Sequence, residues 1–112
     1  MKPVHLNRLL TLEQQVSTPD GTGGFLTVWQ AVGTLWAEIL PGTGREAIGE
    51  EVTLARVPYR IILRGAAPGS PRRPLPGQRL TQAGRVFQVL AVTEAEPGGQ
   101  YLTCFASEET MA

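Results

Sequence analysis

The side chains that most often carry out catalysis are scarce in this sequence and lie far apart. The only histidine, His5, has no cysteine, aspartate or second histidine near it, so a Ser–His–Asp or Cys–His arrangement would depend entirely on the fold. The only cysteine, Cys104, lies in an apolar run and is predicted to be a small buried hydrophobic residue. One cysteine excludes an intrachain disulfide and a cysteine-cluster metal site.

The remaining candidates for chemistry are acidic pairs and one glycine-rich stretch. Glu50-Glu51 and Glu108-Glu109 are adjacent in sequence, and neighbours on an extended chain point to opposite faces, which makes them poor acid–base pairs. The stretch from Gly21 to Gly24 superficially resembles a phosphate-binding loop, but no lysine with serine or threonine stands at the required offset. The sequence therefore predicts a protein that is not an enzyme and uses no metal or cofactor.

Composition is typical of one globular domain covering residues 1–112. Hydrophobic residues make up 42% of the chain and charged residues 18%, which indicates neither a disordered nor a membrane protein. No window approaches the roughly 20 apolar residues that cross a bilayer, and the first residues contain no apolar run typical of a secretory signal. With its single cysteine, the chain is expected to be synthesised in a reducing cytoplasm and to make no contact with a membrane.

Charge is unevenly distributed although the net charge is zero. Between Val52 and Thr93 there is no acid, yet seven arginines occur: Arg56, Arg60, Arg64, Arg72, Arg73, Arg79 and Arg85. Overall neutrality argues against a free nucleic-acid-binding protein, which normally carries a basic excess. Segregated charge favours contact with further copies or with a complementary partner; the alternative is that each arginine is simply solvated.

Apolar residues alternate with a period of two, which predicts strands. The predicted strands are Leu6–Gln15, Leu35–Leu40, Thr53–Arg64, Arg85–Thr93 and Tyr101–Ser107, with a short extended piece at Phe25–Val32. Because Pro58 has no amide hydrogen, the third strand should lie at an edge there, bulge, or begin only at Tyr59. Trp29, Trp36 and Phe87 are expected to pack on the core.

Turn-forming residues separate these strands. Loops are predicted at Val16–Gly24, at Gly65–Gly77 with its four prolines, and at Glu94–Gln100 as a hairpin connection. The segment Arg45–Glu51 is equally compatible with one helical turn or a mobile loop, since Gly49 disfavours a helix. The expected fold is all-β: a small antiparallel barrel or sandwich of five to six strands with a long projecting loop and at most one short helical turn.

The order of several short motifs resembles the head–tail joining (head-closure) proteins of tailed phages. The motifs are a first strand at Leu6–Glu13, a glycine-rich loop at Asp20–Gly24 followed by Thr27-Val28-Trp29, a Trp-Ala-Glu strand at Leu35–Ile39, a Gly-Arg-Glu step at Gly44-Arg45-Glu46, an arginine-containing strand at Tyr59–Arg64, and a strand after a Gly-Arg turn at Gly84–Leu90. The resemblance extends from about Leu6 to Glu109. The resemblance does not separate an infectious phage from a prophage or a gene transfer agent, and it implies synthesis in the bacterial cytoplasm.

This resemblance implies a β-barrel subunit that assembles as a homo-oligomeric ring, typically of six copies, in the neck of a virion or phage-like particle. Its partners would be the portal–adaptor protein on the head side, a tail-terminator or tail-tube protein on the tail side, and DNA in the central channel. The channel or gating loop would contain Gly42, Gly44, Arg45, Glu46, Gly49, Glu50 and Glu51. The subunit interface would contain Arg56, Arg60, Arg64, Glu108 and Glu109.

Two other functions stay open from the sequence. A nucleic-acid-binding barrel would place arginines on phosphates and stack bases on aromatic rings; its residues would be Arg72, Arg73, Arg79 and Arg85 with Trp29, Trp36, Tyr59 or Phe87. Salt-dependent binding of single strands by the monomer would favour that function. The other alternative is the adjacent tail-terminator ring protein, which the sequence does not separate from a head-closure protein.

Overall fold

The computed structural model describes residues 3–42 and 54–111, with side chains described for 3–42 and 56–109. These residues form six strands and no helix, which confirms the predicted all-β class. The strands are β1 (Arg8–Pro19), β2 (Phe25–Pro41), β3 (Leu54–Arg64), β4 (Arg79–Gln82), β5 (Arg85–Glu94) and β6 (Tyr101–Met111).

The strands pair antiparallel in the closed order β1-β2-β3-β6-β5-β4, so the sheet forms a barrel. Closure depends on the short strand β4, which pairs with only three residues of β1, from Thr11 to Glu13. Side chains reinforce both ends of this seam: Arg8 donates to Gln82 Oε1 at 2.6 Å, and Arg79 donates to Glu13 Oε1 at 2.6 Å. The sequence did not predict β4, whose four residues are too few for a recognisable period.

The core consists of inward-facing side chains from all six strands. Its fully buried members include Leu10, Leu12, Ala37, Ile61, Leu63, Leu80, Phe87, Leu102 and Cys104. Each large aliphatic or aromatic member contributes about 1.5–3 kcal/mol through removal of its surface from water. Burial of Cys104 is confirmed, and burial raises the pKa of its thiol to about 12.

Strand β2 is longer than expected and differs from the prediction in one respect that matters for function. The two predicted pieces, Phe25–Val32 and Leu35–Leu40, form one continuous strand with a register shift opposite Leu12 and Glu13. Leu35 and Ala37 face inward, so Trp36 faces outward and is 56% exposed. The prediction that Trp36 packs on the core is wrong. Leu35 and Trp36 are adjacent apolar residues, so the alternation does not decide which of the two points inward.

The predicted loop Val16–Gly24 is also partly wrong, since β1 continues to Pro19. Residues 14–30 pair only with each other, beyond the last β1–β4 and β2–β3 pairs, and form a two-stranded projection that we call the hairpin arm. Its turn is ordered: Asp20 Oδ1 accepts hydrogen bonds from the amides of Thr22 and Gly24 at 2.8 and 3.0 Å. These bonds lower the pKa of Asp20, which keeps the carboxylate charged.

The connections around β3 follow the prediction. Pro58 directs its carbonyl towards Gly42, at the point where β2 ends, so its missing amide lies at a strand edge. The predicted loop Gly65–Gly77 is irregular, with Pro74 fully buried. Gly65 lies so close to Gly99 that a Cβ would collide with the carbonyl oxygen of Gly99, which explains the glycine where this loop leaves the barrel.

Candidate functional site

The predicted gating loop lies almost entirely outside the described residues. Gly44, Arg45, Glu46, Gly49, Glu50 and Glu51 are not described. Gly42 is described: its amide donates to the carbonyl of Pro58 at 2.9 Å, and a Cβ here would lie 3.0 Å from the Pro58 backbone. The loop therefore starts from a fixed point at one end of the barrel.

The predicted interface residue Glu108 is bound within its own subunit. Arg85 donates from Nε to Glu108 Oε2 at 2.8 Å and from Nη2 to Oε1 at 3.1 Å, a two-point contact between neighbouring strands. These hydrogen bonds lower the pKa of Glu108 and raise that of Arg85. Since Glu108 is only 8% exposed, it is poorly placed to meet a neighbouring subunit.

Aromatic rings complete this cluster at the barrel end. Arg85 lies with Cζ 4.8 Å from the ring centre of Phe87 and 5.6 Å from that of Tyr59. The two rings meet edge to face at 5.4 Å. The confirmed core residue Phe87 and its partner Tyr59 therefore have a packing role here, and the charged pair covers them.

The second acidic candidate, Glu109, lies on the outer surface opposite Arg56. Their closest nitrogen and oxygen are 3.5 Å apart, and the side chains are 50% and 37% exposed. Such surface pairs contribute about 0–1 kcal/mol. Both residues stay accessible to another subunit, in contrast to Glu108.

Arg60 and Arg64 are exposed, and neither forms an ion pair with any residue the structure describes. Arg64 borders a cleft of about 410 Å³ whose other walls are Leu6, Leu35, Trp36, Gly65 and Arg72. The indole of Trp36, which is 56% exposed, lines this cleft. The cleft could not be predicted from the sequence because it forms where β2 continues past the end of β3 and the proline-rich loop passes alongside.

Most residues that would build a nucleic-acid surface have partners within the subunit. Arg79 stacks with Cζ 4.1 Å from the ring centre of Trp29 while it binds Glu13. Trp29 thus contacts the outer side of the arm base and not the core, contrary to the prediction. Arg73 donates to the carbonyl of Ala66 at 3.1 Å. With Arg85 also paired, this set does not form a free basic platform.

The hairpin arm carries three exposed apolar side chains. Phe25 is 72% exposed, Leu26 57% and Val28 42%. Arm residues Gln14 to Gln30 include one charged residue, Asp20. Although Phe25–Val32 was predicted to be extended, the exposed arm was not predicted, because a ribbon without a buried face lacks the apolar–polar alternation that marks a strand.

The described residues contain no group of three or more side chains able to hold a metal ion. Within the same part of the chain, no helix is long and apolar enough to cross a membrane.

Comparisons with known proteins match one family model and two solved structures over nearly the whole chain. A model of the phage head completion protein family matches residues 1–109. A chain in a structure of the virion of a native gene transfer agent particle is 51% identical, with a TM-score of 0.78 and coverage of 95% of this chain and 96% of that chain. The solution structure of protein SF1141 from Shigella flexneri 2a is 25% identical, with a TM-score of 0.68 and 96% of each chain covered. No curated protein matches the sequence.

Proposed function

The chain belongs to the phage head completion protein family, and we propose that it forms the ring that joins the DNA-filled head to the tail of a tailed phage or gene transfer agent. The observation that supports this most is the identity of 51%, over nearly the whole length of both chains, to a component of a gene transfer agent virion. The protein's role in such a particle is structural. It is located in the neck, and its partners are other virion proteins.

The subunit surface is compatible with a ring. A ring needs two unlike patches on each subunit, so that every copy contacts one neighbour on either side. Arg60 and Arg64 supply exposed basic side chains and Glu109 an exposed acidic one, and in the sequence the predicted gating loop adds three further acids, Glu46, Glu50 and Glu51. We also propose that six copies surround a DNA channel and that Gly42–Glu51 gates this channel.

Removing the gene from a producing strain tests the proposal directly. We expect full-size heads and separate tails that do not join, which electron microscopy of the lysate would display. A plasmid copy of the wild-type gene should restore joined particles. Joined, DNA-carrying particles in the deletion strain would refute a role in the neck.

The nucleic-acid alternative receives no support from the geometry. Arg79 and Arg85 are held by Glu13 and Glu108, and of the four candidate stacking rings only Trp36 is broadly exposed. A single exposed ring does not provide the series of stacking platforms on which single strands are bound.

A further inference from the structure

The tip of the hairpin arm and the cleft beside Trp36 are chemically complementary. The tip presents Phe25, 72% exposed, beside Asp20, whose pKa is lowered by the hydrogen bonds of its own turn. The cleft presents the exposed face of Trp36 with two cationic side chains, Arg64 and Arg72, at its border. An aromatic side chain next to a carboxylate thus matches an apolar cleft next to two guanidinium groups.

The cleft has enough space for an aromatic side chain and enough unpaired positive charge for a neighbouring carboxylate. Its volume of about 410 Å³ exceeds that of one phenylalanine side chain. Neither Arg64 nor Arg72 has an ion-pair partner among the described residues. A carboxylate brought to this border would therefore form new pairs without breaking existing ones.

An arm cannot occupy the cleft of its own subunit. Phe25 and Trp36 lie on the same continuous strand, eleven positions apart. A strand rises about 3.3 Å per residue, so the two side chains are separated by roughly 36 Å of extended backbone. The arm tip can therefore reach the Trp36 cleft only of another copy. Because the tip and the cleft are different surfaces, the contact is heterologous and can repeat from each copy to the next.

We infer that the hairpin arm of each subunit inserts Phe25 into the Trp36 cleft of the next copy, with Asp20 facing Arg64 and Arg72. This rests on the proposed ring and names the element that holds it together. A two-stranded ribbon on its own is marginally stable in water. The contacts of Arg79 with Glu13 and Trp29 hold the base of the arm against its own barrel. The neighbouring subunit covers the rest of the arm.

Cysteine cross-linking inside complemented particles tests this contact. Phe25→Cys and Trp36→Cys are combined in one chain, and the particles are treated with a short bismaleimide. We expect a ladder of cross-linked chains longer than dimers on a denaturing gel. The matched control combines Phe25→Cys with Leu90→Cys, because Leu90 is 55% exposed, like Trp36, but lies on β5 across the barrel. Native Cys104 is buried and should not react.

Each other outcome contradicts the inference. Dimers formed by Phe25→Cys alone would indicate that arms meet tip to tip, and a cross-link to a different virion protein would place the arm on another partner. Absence of a ladder from particles that join normally would overturn the arm–cleft contact but leave the neck function intact. The gene deletion described above tests that function separately.

A second pair of variants covers the case in which the double-cysteine chain does not assemble. Phe25→Ala should lower the yield of joined particles at least tenfold, whereas Leu90→Ala, at another exposed apolar site, should leave it unchanged. Both changes remove surface side chains, so both proteins should show wild-type circular dichroism. Equal yields from the two variants would overturn the inference.

Discussion

The Arg85–Glu108 pair provides a quantitative test of how the barrel end is held. Glu108→Gln keeps the shape of the side chain and one acceptor oxygen but removes the charge. Hydrogen bonds to a charged group contribute about 1.5–3 kcal/mol, compared with about 1 kcal/mol for neutral partners. Since the Arg85 side chain is 34% exposed, water weakens the gain. We expect a loss of about 2 kcal/mol in the free energy of unfolding, or roughly 8 °C in Tm for a domain of this size.

The pH dependence of this difference has a definite sign. The hydrogen bonds from Arg85 lower the pKa of Glu108 in the folded protein, so the folded state binds that proton less readily than the unfolded state. The stabilisation is fully present above the unfolded pKa of about 4.3 and disappears as the pH falls through the folded pKa. The gap in stability between wild type and Glu108→Gln should therefore be largest near neutral pH and shrink below about pH 4.

Urea unfolding followed by circular dichroism, repeated from pH 7 to pH 3, measures this gap. Glu109→Gln is the matched control. Glu109 is the next residue along the chain, it is exposed, and its contact with Arg56 is long, at 3.5 Å. That variant should change stability by less than about 1 kcal/mol at any pH. Equal losses for the two variants, or a gap that does not vary with pH, would refute the assignment of Glu108 to a stabilising internal pair.

Three further predictions concern the ring, the gate and the buried thiol. Reversing Arg60 and Arg64 to glutamate should leave a folded monomer with wild-type circular dichroism that no longer completes particles; unchanged particle yield would mean that these side chains are only solvated. Replacing residues 44–50 by a glycine–serine segment of equal length should give heads that lose DNA, measured as nuclease-protected DNA, and full retention would contradict the gating role. Cys104 should react with a thiol reagent only after unfolding, and rapid reaction of the native protein would contradict its burial.

The sequence predicted those elements whose two faces differ in polarity. Strands β3 and β5 and the Glu94–Gln100 hairpin were recognisable because one face of each strand packs on the core, which gives a period of two. The arm gave a weaker signal, since both its faces are outside the barrel: Phe25–Val32 was predicted as a short extended piece, but residues 16–19 were predicted as a loop. Strand β4 was too short to be recognised. Which of Leu35 and Trp36 faces the core depends on a register shift between β1 and β2, and the sequence of β2 alone does not reveal that shift.

The candidate site was less predictable than the fold because it depends on strand neighbours. Glu108 appears in the sequence as one of two equivalent acids at the end of the chain. Only the pairing of β5 with β6 puts it beside Arg85, 23 positions away, and leaves Glu109 on the outside. Likewise, the order of the closed barrel decides which arginines meet an acid.

Barrel closure also changes the interpretation of the segregated charge. Five of the seven arginines of the acid-free stretch lie on β3, β4 and β5, which are neighbours of the acid-bearing strands β1 and β6; Arg72 and Arg73 lie in the proline-rich loop. Three cross-strand pairs result, Arg79–Glu13, Arg85–Glu108 and Arg56–Glu109, so part of the complementarity expected between subunits is used within one. Among the described arginines of this stretch, Arg60, Arg64, Arg72 and Arg73 have no acid partner, and the guanidinium of Arg73 is held by the carbonyl of Ala66. Of the other three, Arg64 and Arg72 border the Trp36 cleft, so most of the charge still available after folding lies where the arm of the next copy is proposed to bind.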